Sequence, residues 1–273
     1  MVTEDASWVP AEIDTTKANV ARVYDWFLGG EHNFRVDQDA ARALIAIEPR
    51  GRAIARGYRA FLIRAVRYLA REAGIRQFLD IGSGIPTENN VHRVAQATAP
   101  GARVVYADID DVAVAHSKLI LDGNPDAAVI QADLRDPAGI LADPETQLLL
   151  DFTRPVGLLL VAVLHFLPDA DNPHQIVARL RDALAPGSYL VLSHGATEDR
   201  PTVARAAEKV YDQAVAAPLR MRSRAELLPL FEGFELVEPG LVPIPHWRPD
   251  PGDQDAAGTG RFLGGLAGVA LKR

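Results

Sequence analysis

The chain of 273 residues contains no cysteine. This absence excludes disulfides, zinc sites with thiolate ligands and cysteine nucleophiles, and it fits a reducing cytoplasm, the location we expect. Long apolar runs are also missing: the longest extends only from Val156 to Leu164, far short of the roughly 20 residues of a membrane helix. Acids and Trp8 occupy the start, Met1 to Ile13, where a signal peptide needs a basic and then an apolar region. We therefore expect neither export nor a membrane partner.

Positive charge is not in excess. Lysine and arginine number 29 against 36 aspartates and glutamates, which gives a net charge of −7. Broad capture of nucleic acid or of an anionic membrane needs a positive surface, so we expect neither partner. The arginines from Arg50 to Arg71 follow the polar side of an apolar-faced helix, and we expect them to form a solvated face rather than an anion site. The length and the hydrophobic content of 48% suit either one large domain or a domain with a helical extension.

The period of the apolar residues changes once along the chain. Val20, Val23, Tyr24 and Phe27 recur at helical intervals, Gly29-Gly30 ends that helix, and we expect further helices from Asp37 and over 54–69. After residue 76, short apolar runs alternate with helical stretches. The predicted strands are 77–81, 103–107, 128–131, 156–164 and 188–193. Such alternation predicts a parallel sheet covered by helices on both faces.

The intervening segments carry helix signals, and the last part is less regular. We predict helices at 89–98, 112–121, 173–184, 202–216 and 224–231. Two further strands, 235–237 and 266–271, are expected to pair antiparallel. The segment 239–260 between them is rich in proline, glycine and aspartate, which predicts a mobile loop.

A glycine loop follows the first predicted strand. Phe78 to Ile81 lead into Gly82-Ser83-Gly84, and glycines there permit positive φ and let a ligand approach the backbone. The third glycine of a dinucleotide-binding loop is absent, because Thr87 stands in its place. Asp80 at the strand end puts a negative charge beside the loop, which suits an ammonium or a sulfonium better than a phosphate.

Two further strands also end in aspartate. Asp108 ends the second strand, where an acid can accept both hydroxyls of a ribose, and Asp133 ends the third, where it can bind an adenine amine. A single aspartate at a strand end is more often a helix cap than a ligand contact, so for each acid alone the cap is the favoured explanation. Together, the three acids favour an adenosine with a cationic amino-acid tail. The acids Asp108 and Asp110 could suggest a metal, but the seven histidines include no close-spaced carboxylate-histidine set, so we expect none.

The set of glycine loop and strand-end acids resembles the class I S-adenosylmethionine-dependent methyltransferases over roughly residues 76 to 195. The chain is more specifically similar to an actinobacterial S-adenosyl methyltransferase family, long described as a domain of unknown function. The segments that carry this similarity are Ala21–Phe34, Ile85–His92, Ala132–Pro137, Asp151–Pro155, Val163–Phe166 and Pro186–His194.

The resemblance implies a fold and a cofactor. The fold is α/β and Rossmann-like, with a seven-stranded, mostly parallel sheet of order 3-2-1-4-5-7-6 whose last strand is antiparallel. It divides the chain into an N-terminal helical cap over residues 1–75 and a cofactor-binding methyltransferase domain over residues 76–273. The implied cofactor is S-adenosyl-L-methionine, with S-adenosyl-L-homocysteine as product.

Cofactor contacts follow from the same resemblance. Asp80, Gly82, Ser83 and Gly84 would flank the methionine part. Asp108, followed by Ile109, would hold the ribose, and Asp133 with Leu134 would hold the adenine. The other implied contacts are two polar groups after the loop and two residues of the cap that could close over the cofactor, namely Thr87, Asn90, Tyr24 and Asn33. For Tyr24, packing on an amphipathic helix is an equal alternative.

A general base is needed only for some acceptors, because methyl transfer from a sulfonium is an in-line displacement that depends mainly on positioning. His165, just past the fourth strand, is the best candidate, although a structural role is the alternative. His92 and His194 are weaker candidates.

The sequence leaves the acceptor open. We expect a methyltransferase that acts on a small molecule, and the chain is compatible with a homodimer. One alternative is a regulator that binds the cofactor without catalysis. Another is a nicotinamide-dependent oxidoreductase, which Thr87 and the lack of a Tyr-x-x-x-Lys pair disfavour.

Overall fold

The computed structural model describes residues 14–86, 90–198, 201–215, 217–251 and 264–273. The predicted site residue Thr87 and residues 252–260 of the predicted loop 239–260 lie outside these residues.

Three helices precede the sheet: α1 (Val20–Leu28), α2 (Arg35–Ile47) and α3 (Gly51–Arg71). The Asn19 side chain caps α1 by accepting a hydrogen bond from the Ala21 amide at 2.7 Å. The second helix begins two residues before the predicted Asp37, because the Asp37 carboxylate accepts from the Phe34 amide at 2.8 Å and closes the first turn.

The sheet confirms the predicted topology. Its strands are β1 (Gln77–Ile81), β2 (Arg103–Asp108), β3 (Ala127–Gln131), β4 (Gly157–Val161), β5 (Tyr189–Gly195), β6 (Glu235–Leu236), β7 (Val242–Pro243) and β8 (Gly265–Leu271). The order is β3-β2-β1-β4-β5-β8-β6, and β8 runs antiparallel to β5 and β6. The two-residue β7, which pairs with β8, is the addition to the predicted seven strands.

Helices cover both faces of the sheet. They are α4 (Val91–Thr98), α5 (Asp111–Leu121), α6 (Pro137–Ala142), α7 (Pro144–Leu149), α8 (Pro173–Ala183), α9 (Pro201–Ala214) and α10 (Arg224–Leu227), with 3₁₀ turns at Leu164–Phe166, Asp169–Asp171, Leu228–Phe231 and Ile244–His246. The long helix α3 packs on one face of the sheet through Phe61 and Leu69, while Ile140 and Leu180 pack on the other. Within the described ranges, no helix has the length and apolarity needed to cross a membrane.

Packing joins a late helix to the N-terminal helices. Ala207 of α9 shares an apolar cluster with Val23 of α1 and Ala41 of α2. These three helices form a layer above one end of the sheet, although α9 follows α2 by more than a hundred residues in the sequence.

Two segments differ from the prediction. The fourth strand ends at Val161, not at Leu164, because Ala162 adopts φ +58° and turns the chain out of the sheet. The helices α6 and α7 were not predicted; each begins with a proline that follows an aspartate, Asp136-Pro137 and Asp143-Pro144, and each aspartate accepts hydrogen bonds from amides of its helix.

Candidate functional site

A cavity of about 730 Å³ lies between the carboxyl ends of the central strands and the helices α1, α3 and α9. This size falls within the range of roughly 300–1,000 Å³ that is usual for small-molecule sites. Its position is the edge at which open parallel sheets bind ligands. The predicted site residues that line it are Tyr24, Asp80, Gly82, Ser83, Gly84, Asp108, Ile109, Asp133, Leu134 and His165.

The glycine loop forms the floor of this cavity. Gly82 has φ +73°, and a Cβ there would lie 2.3 Å from Cγ2 of Val163, so both the conformation and the space require glycine. Gly84 also has positive φ, +67°, but among the described residues no atom beyond its chain neighbours lies within 4 Å of its would-be Cβ. The backbone at Gly84 is therefore open to a ligand.

Asp108 ties the end of β2 to this loop. Its Oδ2 accepts a hydrogen bond from the Gly84 amide at 2.7 Å, and its Oδ1 accepts from the Asp110 amide at 2.9 Å. Burial raises the pKa of Asp108 to about 6, against the opposing effect of these hydrogen bonds. The cap of α5 is Asp110, whose Oδ1 accepts from the Ala113 amide, so the helix-cap alternative applies to Asp110 and not to Asp108.

Asp80 lies buried at the end of β1, beside the same loop. Burial raises its pKa to about 7, the charge of Arg59 lowers it, and the charge of Asp108 raises it further. The neighbouring Ser83 hydroxyl is buried and, among the described residues, has no hydrogen-bond partner. A buried hydroxyl without a partner is costly, and a polar ligand group in the cavity would satisfy it.

The predicted adenine side has a different character. Asp133 forms an ion pair with Arg135, with Nη2 and Oδ2 2.5 Å apart, and the hydrogen bond from Arg135 lowers the pKa of Asp133. Leu134 is buried, whereas Ile109 is 57% exposed although it lines the cavity. The two apolar side chains provide a surface for a planar ring, and Asp133 offers a carboxylate that is already engaged.

Of the two cap residues predicted to contact the cofactor, Tyr24 lines the cavity and Asn33 does not. The Tyr24 hydroxyl donates to the Ala55 carbonyl at 3.0 Å, which joins α1 to α3, and burial raises the pKa of Tyr24 to about 12. Asn33 does not line the cavity: its amide nitrogen donates to Oδ2 of Asp25 at 2.8 Å and to the Gly30 carbonyl at 2.9 Å. It orders the turn after α1, so the structure does not bring it to the predicted cofactor site.

Asn90 lies in a small pocket behind the loop. This pocket adjoins the main cavity and is also lined by Asp80, Ser83 and Gly84. The Asn90 Oδ1 accepts a hydrogen bond from Nη2 of Arg59 at 2.9 Å. Asn90 is therefore linked to the main cavity by its hydrogen bond with Arg59.

Arg59 is a charged residue of the cavity lining that the sequence did not indicate. The arginines of α3 were expected to face solvent, and Arg56 and Arg71 do. Arg59 instead lines the cavity, and Arg64 is buried, where it donates to the carbonyls of Trp247 at 3.0 Å and Ile244 at 3.1 Å. The helical period places Arg59 and Arg64 on the polar side of α3. Later parts of the chain, at Asn90 and at Ile244 to Trp247, pack against that side and cover them.

His165 and His194 are both buried and differ in their hydrogen bonds. Nδ1 of His165 accepts from the Gly195 amide at 3.2 Å, so this nitrogen has a lone pair and the neutral ring carries its proton on Nε2. Burial holds the pKa of His165 well below its usual value. His194 has the opposite tautomer: Nδ1 donates to the Gly195 carbonyl, and Nε2 accepts from Arg222 at 2.9 Å.

The part of the cavity that faces the cap is lined mostly by apolar side chains. Phe166 and Tyr211 lie with their ring centroids 5.6 Å apart, and Tyr58 meets the His165 ring edge-on at 6.3 Å. The remaining apolar lining on this side includes Phe27, Leu44, Ile54, Leu62, Ala204, Ala207, Leu219 and Met221. Across the described chain, no group of three or more His, Asp or Glu side chains is arranged to hold a metal ion.

A family model described as S-adenosyl methyltransferase matches residues 6–273. Two solved structures are similar over almost the whole chain. One is a DUF574 family protein from Streptomyces avermitilis, with 41% identity, a TM-score of 0.91, and coverage of 95% of this chain and 99% of that one. The other is a putative methyltransferase from Thermobifida fusca, with 39% identity, a TM-score of 0.89, and coverage of 98% and 100%.

More distant structures share the fold alone. An O-methyltransferase family 2 protein from Planctomyces limnophilus, solved in complex with apigenin, has 14% identity and a TM-score of 0.51, with coverage of 92% of this chain and 65% of that one. No curated protein matches the chain.

Proposed function

Because the chain belongs to the S-adenosyl methyltransferase family, we propose that its methyl acceptor is a small, largely apolar molecule that binds in the cap-facing part of the cavity. The chain is an S-adenosylmethionine-dependent methyltransferase. The observation that carries the proposal is that one cavity joins the polar glycine loop to a wall of aromatic and aliphatic side chains.

The residues at the loop fit the cofactor. When bound, S-adenosylmethionine supplies an electrophilic methyl group on a sulfonium. The open backbone at Gly84, the buried hydroxyl of Ser83 and the carboxylates of Asp80 and Asp108 are suited to a polar, cationic ligand. We propose that Ile109 and Leu134 hold the adenine between them and that Asp133, already paired with Arg135, contributes at the rim.

The acceptor class is proposed from the opposite wall. Phe27, Tyr58, Phe166 and Tyr211 offer rings that can pack against an aromatic acceptor. Two charged residues on this side, Glu48 and Arg50, form an ion pair in which Nε of Arg50 lies 3.0 Å from Oε1 of Glu48, so their charges offset each other. A neutral acceptor would leave no charge unmatched on burial.

His165 fits a hydrogen-bond donor better than a general base. The Gly195 amide occupies the lone pair on Nδ1, so the proton on Nε2 is the group that His165 can offer. Burial keeps the ring neutral at pH 7. We propose that His165 orients the acceptor, so that catalysis rests mainly on positioning.

The remaining expectations concern partners and domain limits. The net charge of −7 supports our proposal that the acceptor is not a nucleic acid. The cap that we propose includes α9 as well as the helices before residue 75, since Ala207 packs against Val23 and Ala41. A cytoplasmic location and a homodimer stay predictions.

A labelled-methyl assay tests the proposal. The protein is incubated with S-adenosylmethionine that carries a deuterated methyl group and with two matched libraries, one of neutral aromatic molecules and one of charged molecules. Mass spectrometry then detects labelled products. We expect products from the neutral library, lost in Asp108→Ala. Products from the charged library alone would contradict the acceptor class. Cofactor binding without any product would favour the regulator.

A further inference from the structure

The 3₁₀ turn that carries His165 is held at both ends by one buried side chain. Arg222, which is 4% exposed, lies between α9 and α10. Its Nη1 donates to the Leu164 carbonyl at 3.2 Å, and its Nη2 donates to the Leu167 carbonyl at 2.9 Å. Nη2 also donates to Oδ1 of Asp169 at 2.6 Å. Because an arginine presents several N–H groups in one plane, a single guanidinium fixes the backbone before and after His165.

A chain of hydrogen bonds leads from Arg222 to the ring of His165. A guanidinium cannot accept, so Nε2 of His194 accepts from Nη1 of Arg222 at 2.9 Å, and the proton of that neutral ring is on Nδ1. This Nδ1 donates to the Gly195 carbonyl at 2.7 Å. The Gly195 amide in turn donates to Nδ1 of His165 at 3.2 Å. The chain therefore sets the tautomers of both rings and leaves the His165 proton on Nε2.

Burial and charge keep the two rings neutral. Burial and the charge of Arg222 lower the pKa of His194 to about 4, against the opposing effect of its hydrogen bond to Gly195. For His165, burial is the largest cause of the lowered pKa, and the neighbouring His194 and Arg222 lower it further. At pH 7, His194 is therefore an acceptor for Arg222 and not a second cation beside it.

Arg222 is separated from the cavity by the residues that it contacts. In the described chain, His165 and Gly195 line the cavity, but Arg222 and His194 do not. An influence of Arg222 or His194 on a bound acceptor must therefore pass through His165 and its surroundings.

We propose that Arg222 and His194 are positioning residues for His165: they fix its turn and its tautomer, so that the Nε2 proton is available to the methyl acceptor. This inference rests on the proposed function of His165 as a hydrogen-bond donor. A buried arginine is costly to desolvate unless acceptors satisfy its N–H groups, and here carbonyls, a ring nitrogen and a carboxylate do so. The benefit is a donor that needs no rearrangement when the acceptor binds.

Steady-state kinetics with an acceptor found in the labelled-methyl assay test this proposal. Arg222→Met removes the donors but keeps a long side chain, so kcat should fall about 3- to 10-fold, while S-adenosylhomocysteine affinity, measured by calorimetry, should change no more than about twofold. Arg222→Lys retains a cationic donor and should lose less. The matched control is Arg220→Met, since Arg220 pairs with Asp212 through a side chain that is 39% exposed. Its kcat should stay within about twofold of the wild-type value.

A double-mutant cycle separates positioning from support of the fold. In the His165→Leu background, which lacks the donor, Arg222→Met should have no further effect on kcat. A loss of equal size in both backgrounds, or a parallel loss of S-adenosylhomocysteine affinity, would show that Arg222 only supports the fold and would overturn the proposal. Wild-type kcat in His165→Leu would overturn it too, because no donor would then need positioning.

The histidine tautomers provide a readout that needs no acceptor. In protein with isotope-labelled histidine, NMR shifts of the ring nitrogens distinguish the two neutral forms. We expect the Nε2–H form for His165, the Nδ1–H form for His194, and mixtures for both in Arg222→Met. If that variant does not fold, His194→Phe removes the link and should likewise mix the His165 tautomers.

The same spectra separate this inference from the proposed function. An Nδ1–H form of His165 in the wild-type protein would overturn the positioning, as would an unchanged His165 tautomer in the folded variants. If the wild-type protein yields no product from any acceptor, the proposed function fails, whereas the tautomers still support or overturn the positioning of His165.

Discussion

The amide of Gly84 donates a hydrogen bond of 2.7 Å to Oδ2 of Asp108, and this contact fastens the glycine loop after β1 to the end of β2. The second carboxylate oxygen accepts from the Asp110 amide, so one side chain orders two turns at the floor of the cavity. A residue that the sequence suggests as a ribose ligand is thus also part of the frame of the loop.

Asp108→Ala should reduce S-adenosylhomocysteine affinity by about 10- to 100-fold, because it removes a charged acceptor and leaves the Gly84 and Asp110 amides without their partner. Asp108→Asn keeps the shape but turns one acceptor into a donor that faces an amide, so it should lose nearly as much. Titration calorimetry and thermal unfolding measure the two effects. The matched control is Asp122→Ala, an exposed acid at the end of α5. Unchanged affinity in Asp108→Ala would exclude the ribose contact.

The pKa values of Asp80 and Asp108 predict how binding depends on pH. Burial raises them to about 7 and about 6, so both carboxyls are partly protonated in slightly acidic solution. A cationic ligand binds the charged form, and its affinity should therefore rise from pH 5.5 to pH 8, with protons released on binding. Titrations in buffers of different ionisation enthalpy measure this release. Proton uptake on binding would contradict the prediction.

The raised pKa of Asp80 also predicts how the substitution Asp80→Asn changes the stability of the protein. A raised pKa in the folded state means that the folded protein holds more protons than the unfolded chain, so the carboxyl costs stability as pH rises from its usual pKa of 3.8 towards 7. At pH 8 without ligand, Asp80→Asn should raise the midpoint of thermal unfolding, and this gain should shrink at pH 5. A gain that is larger at pH 5 would show that the sign is wrong.

The strand ends were predictable because they depend on local patterns. Alternating apolar runs located the parallel strands, and their terminal acids, Asp80 and Asp108, both reach the cavity. Helices α6 and α7 were missed, although Asp136-Pro137 and Asp143-Pro144 carry a start signal, because each helix is too short for a period. The early end of the fourth strand depends on the φ of Ala162, which an apolar run does not reveal.

The position of Arg59 could not be predicted from its helix. Periodicity separates the apolar side of α3 from the polar side, but it cannot tell which polar residues later elements will cover. Arg59 meets Asn90, which follows the loop after β1, and Arg64 meets the backbone at Trp247, far along the chain. Both contacts depend on tertiary packing. The tautomer of His165 likewise depends on Gly195, which the pairing of β4 with β5 brings near.

Substitution of His165 separates a hydrogen-bond donor from a general base. With an acceptor identified in the labelled-methyl assay, His165→Gln should keep a donor within reach and lose about tenfold or less in kcat, whereas a base should cost about 10²- to 10⁴-fold. The kcat of the wild-type protein should show no inflection near the usual histidine pKa, since burial holds that of His165 well below it. His165→Leu, which lacks a donor, is the comparison. Equal, large losses in both variants would support the base.

The two glycines of the loop should respond differently to alanine. In Gly82→Ala, the new side chain is strained by the positive φ, and its Cβ would lie 2.3 Å from Cγ2 of Val163. We therefore expect a loss of about 2–4 kcal/mol in the free energy of unfolding and of cofactor binding. Among the described residues nothing clashes with a Cβ at Gly84, so for Gly84→Ala we expect the cost of the positive φ, about 1–2 kcal/mol. Denaturant unfolding measures both. Val163→Ala should recover part of the loss in Gly82→Ala but none in Gly84→Ala, because only the first involves a clash; equal recovery in the two backgrounds would show that strain, and not space, selects Gly82.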